Sequence, residues 1–153
     1  MDSRFKPFVE RLEAKFQELI SMSPVKIDSL PSQMPTGGVY VFYEEGKPLY
    51  VGRTNRMRQR LRYHSRESAN DAPFAFRLAR EMTGYTKPTY QKIGSRKDLL
   101  SKPEFRKSFS EAKTRIRGMD IRFVEETEQI RQTLLEIYVA VVLDTPYNEF
   151  KTH

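Results

Sequence analysis

Residues 5–20 carry Phe5, Phe8, Val9, Leu12, Phe16, Leu19 and Ile20 at a spacing that predicts an amphipathic N-terminal helix packed on a core. Residues 21–37 bring Pro24, Pro31, Pro35 and several serines, and predict an extended connection with no helix in it. The pattern then changes. GGVYVFYEEGKPLYVGR holds two β-branched and aromatic runs around Glu44-Glu45-Gly46 and predicts a hairpin. With a three-residue loop and Gly46 in the left-handed position, Tyr43 pairs with Lys47, and Tyr40 lies opposite Tyr50 with both hydroxyls on one face. A two-residue loop shifts the register by one and spoils that alignment.

Asn55 is placed to cap a helix running to about residue 65, in which Met57 and Leu61 form an apolar pair and Arg56, Arg60 and His64 a second row. Asp71-Ala72-Pro73 opens a helix through about Glu81. Ser101-Lys102-Pro103 opens another, with Phe105, Phe109, Ala112 and Ile116 on one side and Gly118 at its end. Residues 119–126, MDIRFVEE, alternate like a third strand, and 127–143 form the strongest helix, closed by Asp144-Thr145-Pro146. This order predicts an α/β (α+β) fold with a small three-stranded, mainly antiparallel sheet flanked by helices. A chain of 153 residues fits one domain: N-terminal helix 5–20, linker 21–37, core 38–66 and 119–150, and an insertion at 84–118.

Composition narrows the chemistry. There is no cysteine, which excludes disulfide scaffolds, zinc ribbons and thiol catalysis, and two histidines, His64 and His153, cannot build a His-rich metal site. No apolar run approaches the ~18 residues of a membrane span, and the charged N-terminus does not read as a secretory signal, so a soluble, cytoplasmic protein is expected. The net charge of +7 is unevenly distributed. Residues 53–66 hold six arginines and no acid, and residues 84–118 hold ten Lys/Arg against three acids, which leaves the rest of the chain net acidic. Two basic blocks on an acidic remainder suit a polyanion, most simply nucleic acid, although charge runs are also solvated helix faces.

One residue stands out in the last helix. LLEIYVAVVL, residues 134–143, is nine apolar residues and a single carboxylate, Glu136. An ionised carboxylate in such surroundings calls for a cation, an arginine or a set of hydrogen bonds. A metal ion and the arginines of 53–66 are the candidates.

GGVY at 37–40 followed by YVG at 50–52 resembles the paired signature of the GIY-YIG nuclease family. Arg53 follows the second signature, Arg60-Leu61 falls on the next helix, His64 lies one turn later, and Glu136 precedes an apolar helix ending in Pro146-Tyr147-Asn148. Taken singly, two hairpin tyrosines are sheet packing, Arg60 a surface charge, His64 a hydrogen-bonded surface residue, and Gly38 and Gly52 strand-end glycines. Their joint order over about residues 37–150 carries the resemblance.

The resemblance implies a hydrolytic endonuclease using one divalent metal, Mg2+ or Mn2+, held chiefly by Glu136; magnesium suits a hard oxygen ligand shared with phosphate and waters. Arg60 would stabilise charge on the pentavalent phosphate, and Tyr40 or Tyr50 would activate or position the attacking water. The unperturbed tyrosine pKa near 10 would have to be lowered by neighbouring arginines, and His64 is a second candidate base. Arg53 and Arg56 would contact phosphate, and Asn148 would support the site by hydrogen bonds and lie at the nucleic-acid interface. The block 84–118, with Lys92, Arg96 and Lys97, reads as an insertion gripping the phosphate backbone, where Tyr85 and Tyr90 either stack on bases or pack. DNA is the expected partner, with RNA and branched DNA as alternatives, no membrane, and a homodimer or partner protein among the means of target choice. The rival reading is a non-cleaving nucleic-acid-binding protein on the same fold. The presence of Tyr40, Tyr50, Arg60 and Glu136 together speaks for cleavage.

Overall fold

The computed structural model describes residues 1–85 and 95–150. The chain separates into two compact units, Met1–Arg60 with Met119–His153, and Leu61–Gly118. Among the described residues, no helix is long and apolar enough to cross a membrane.

The first unit is built on a three-stranded antiparallel sheet of β1 (Gly38–Glu44), β2 (Lys47–Thr54) and β3 (Asp120–Glu125), in the order β2-β1-β3. The predicted sheet is therefore present, with β1 at its centre. Val39, Val41, Tyr43, Val51 and Val124 form one face, covered by Phe16 and Leu19 of α2 (Leu12–Ser21) and by Leu135, Val139 and Ala140 of α7 (Gln129–Leu143). This period-two set is the core that the strand alternation specifies.

The hairpin departs from the predicted register. Its loop has two residues, Glu45 and Gly46, both at positive φ (51° and 78°), so Glu44 pairs with Lys47. That is the backbone of a type I′ turn, whose twist matches that of its strands. The register then slips between Phe42 and Tyr43, where Tyr43 faces Pro48 and Phe42 faces Tyr50. Pro48 has no N–H to continue the ladder, and Leu49 becomes the extra residue of a bulge. Tyr40 thus pairs with Gly52 rather than with Tyr50. The net displacement from the expected pairing is two residues, so both tyrosines still belong to one face.

Other local expectations also change. The N-terminal helix is broken: α1 (Lys6–Val9) ends at Glu10, Arg11 leaves helical geometry, and α2 starts afresh, which lets each piece lie against α7. Within the linker, Ile27–Ser29 makes one 3-10 turn with Ile27 buried, and Val25 bridges to Ile121 on the open edge of β3. Asn55 does not cap α3 (Met57–Tyr63); its amide exchanges hydrogen bonds with Gln129 of α7 at 2.9 and 3.0 Å. The Met57 N–H instead donates to the Thr36 carbonyl.

The second unit is helical. It contains α4 (Pro73–Thr83), the short α5 (Arg96–Leu100), absent from the sequence expectations, and α6 (Pro103–Arg117). Phe74, Phe76, Leu78, Leu99, Phe105, Phe109 and Ile116 are among its buried apolar residues, with Phe76 packed on Phe105 and Phe109. Asp71 does not cap α4, whose N-cap is Ala72; its charge acts on Arg96. This unit begins well before residue 84 and so exceeds the basic block.

Candidate active site

Tyr40 is brought to the site by the middle strand and is almost wholly buried, at 1% exposure. Its ring crosses β2 at Gly52, where a Cβ would stand 2.2 Å from the phenolic oxygen and 2.3 Å from Cζ. Only a glycine leaves room for the ring. Gly38 answers a similar constraint at the start of β1, since a Cβ there would lie 1.9 Å from the Val124 carbonyl oxygen. Both signature glycines are therefore places of close approach and not merely strand ends.

Arg60 on α3 hydrogen-bonds to the Tyr40 hydroxyl. Burial pushes the Tyr40 phenol well above the ordinary tyrosine range, and Tyr50 and Glu136 push the same way. The charge and hydrogen bond of Arg60 oppose them without prevailing. The expectation that arginines lower this pKa is thereby corrected for Tyr40: desolvation outweighs them, and the phenol stays protonated. Tyr50 sits on the same sheet face, opposite Phe42 and at the limit of burial.

Glu136 lies on the side of α7 turned toward the sheet, and its side chain retains 25% exposure. The apolar run around it is not buried all round, since Ile137, Val141 and Val142 are exposed. Desolvation raises the carboxyl pKa, and the charge and main chain of Arg53 partly counter it. Arg53 Nε stands 3.9 Å from Glu136 Oε1, and its Nη1 donates to Gln132 Oε1 at 3.3 Å. Gln132, a residue the sequence reading passed over, lies one turn before Glu136 and is buried. Its only sequence signal is a polar residue four positions before Glu136.

Asn148 braces the site. Its Oδ1 accepts from the Val51 N–H and its Nδ2 donates to the Val51 carbonyl, both at 2.8 Å, while Thr145 Oγ1 also donates to its Oδ1. This amide stands in for a neighbouring strand beside β2. That geometry fits support of the site by hydrogen bonds.

His64 follows α3 and belongs to the helical unit, fully buried with its ring edge-on to Phe74. The arginines of 53–66 have separate fates: Arg58 ties the Pro31 and Ser32 carbonyls of the linker, while Arg56 is exposed. In the helical unit Arg96 stacks 3.9 Å above the Phe76 ring and Lys97 is exposed. Tyr85 meets Phe105 with its edge, and Lys102 covers its face. Lys92 and Tyr90 lie outside the described residues.

Among the described residues, no group of three or more His, Cys, Asp or Glu is arranged to hold a metal ion. A lone desolvated carboxylate is still a fitting partner for Mg2+, which keeps several waters and is bound through one or two carboxylates together with substrate phosphate. The GIY-YIG catalytic domain matches residues 36–139, from the strand carrying Tyr40 into the helix carrying Glu136. No curated protein and no solved structure is matched.

Proposed function

Since the chain belongs to the GIY-YIG family, whose catalytic domain spans most of it, we propose that it is a magnesium-dependent endonuclease hydrolysing phosphodiester bonds of DNA. The observation that carries this reading is convergence: one buried phenol, Tyr40, is under the influence of Tyr50, Arg60 and Glu136 at once. Those are the four residues that cleavage requires and that a non-cleaving binder has no need to keep together.

Glu136 would hold Mg2+, or Mn2+ in its place. A cation bound there supplies Lewis acidity toward a phosphate oxygen. Arg60 stabilises the negative charge that builds on the phosphoryl oxygens as water adds to phosphorus, a task for a fixed cation. Tyr40, protonated and held by Arg60, orients the reacting groups by hydrogen bonding. Taking the proton of the attacking water then falls to Tyr50, which must first give its own phenolic proton to solvent, with His64 as the rival base; the departing sugar oxygen takes its proton from solvent. Arg53 and Arg56 neutralise backbone phosphates near the scissile bond. Lys92, Arg96 and Lys97 also bind backbone phosphates. The protein acts as a single catalytic domain with a basic insertion, within the cytoplasm.

The test is incubation of supercoiled plasmid with the purified chain, with magnesium and with chelator. Nicked circles appearing only with magnesium are the expected first product, because one site cuts one strand; linear product with no nicked precursor would indicate a dimer. Binding without cleavage, or cleavage of RNA alone, overturns the proposal.

A further inference from the structure

The Gln132 amide has a fixed orientation. On one side lie the carbonyls of Thr54 and Glu126 and the Asn55 Oδ1, at 3.3, 2.9 and 3.1 Å from Gln132 Nε2. The two main-chain oxygens can only accept, so the amide NH2 must face them. This turns Oε1 toward Arg53, whose guanidinium can only donate and does so through Nη1 at 3.3 Å. From the next turn of α7, Glu136 Oε1 meets the Nε of the same guanidinium at 3.9 Å. Arg53, with its side chain 39% exposed, is thus held at two points by residues four apart on one helix.

The geometry points to Gln132 as a positioning residue for Arg53, on the reading that this site cleaves phosphodiesters. By holding Nη1, Gln132 keeps the guanidinium from closing as a two-pronged pair on the Glu136 carboxylate, the arrangement arginine favours when free to choose. The carboxylate stays open to a cation, and the remaining N–H groups of Arg53 stay available to a substrate phosphate. Misplacement of a positioned group by about 1 Å can cost on the order of 10²-fold in rate.

Two measurements test this. In the first, the near-isosteric Gln132→Met is made in the wild-type chain and in Arg53→Ala, and cleavage is followed under single-turnover conditions with saturating DNA. A loss of roughly tenfold or more in the wild-type background and less than about twofold in the Arg53→Ala background is expected, since Gln132 acts through Arg53. Equal losses in both backgrounds overturn the inference. The second needs no cleavage: 15N relaxation of the Arg53 Nε–H, without DNA or metal, should report a restrained guanidinium in wild type and a mobile one in Gln132→Met. An unchanged signal overturns the inference, whether or not the wild-type chain cuts DNA. A chain that cuts nothing yet shows the restrained arginine overturns the nuclease reading alone. Should Gln132→Met fail to fold, Arg53→Lys at its more open position keeps the charge but not the fork. It should then lose as much activity as Arg53→Ala, and near-wild-type cleavage by Arg53→Lys would overturn the inference.

Discussion

The Tyr40 ring lies across Gly52 on the neighbouring strand, in the space a side chain at that position would take. Gly52→Ala must therefore displace a buried aromatic ring rather than fill a gap. Overpacking of this kind typically costs about 1–3 kcal/mol. Urea unfolding should show that loss, together with a fall in plasmid nicking larger than stability alone explains. Nicking at the wild-type rate would mean that the position of the Tyr40 hydroxyl is irrelevant to the chemistry.

Phenylalanine keeps each tyrosine's packing and removes only its hydroxyl. General-base assistance is typically worth ~10²–10⁴-fold, and at least one of Tyr40→Phe and Tyr50→Phe should lose that much, with Tyr50 the base. Tyr40→Phe should act through the lost contact with Arg60. His64→Ala should lose less in rate, with its cost visible in stability because the ring is buried. Single-turnover rates decide: if both phenylalanine variants cleave within a few fold of wild type and His64→Ala is dead, His64 is the base.

Glu136→Ala should abolish magnesium-dependent cleavage while leaving DNA binding largely intact. Its titration gives a second handle. Burial raises the carboxyl pKa in the folded chain, so the folded state binds this proton more tightly than the unfolded state does. The resulting contribution to stability is fully present below the ordinary carboxyl pKa of ~4.3 and is lost as pH rises through the raised value. In chelator, Glu136→Gln should therefore melt above wild type at pH 7.5, with the difference closing near pH 4. Added magnesium should raise the melting temperature of wild type and not that of the variant. A melting difference independent of pH would show that the carboxylate is not under desolvation stress.

Binding to DNA should weaken steeply with salt, since each phosphate neutralised contributes roughly −0.9 to the log–log slope. Replacing Lys92, Arg96 and Lys97 with alanine should flatten the slope by about one for each contact removed, without stopping cleavage at saturating substrate. Fluorescence anisotropy across a salt series measures this, and an unchanged slope would show that this part of the helical unit faces away from the backbone.

The fold was legible where one physical rule governed a segment. Runs of β-branched and aromatic residues around a turn identify β1 and β2, alternation identifies β3, and helical spacing finds α6 and α7 to within a few residues. The hairpin shows where that reading stops: alternation fixes which face Tyr40 and Tyr50 share, but not the register, which depends on a tight turn at Glu45-Gly46 and a slip beside Pro48. Asn55 looked like a cap because capping is its commonest local use, yet two glutamines from the far end of the chain claimed its amide. Gln132 is silent in the sequence for the converse reason, as a helical glutamine is usually solvated and only tertiary contacts reveal its burial. Tyr40 was placed correctly on its strand, but the direction of its titration depends on how deeply the sheet buries it, which residue spacing does not express.

The amide of Asn148 reaches Val51 across 97 positions of sequence. During synthesis the hairpin with both tyrosines is made first, and the helix with Glu136 and the residue that closes the flank of β2 follow well after it. Until then Val51 presents an unpaired N–H and carbonyl, open to any passing extended segment. A nascent chain stopped before Asn148 therefore leaves β2 adhesive along that flank, and the arrival of this one amide closes it.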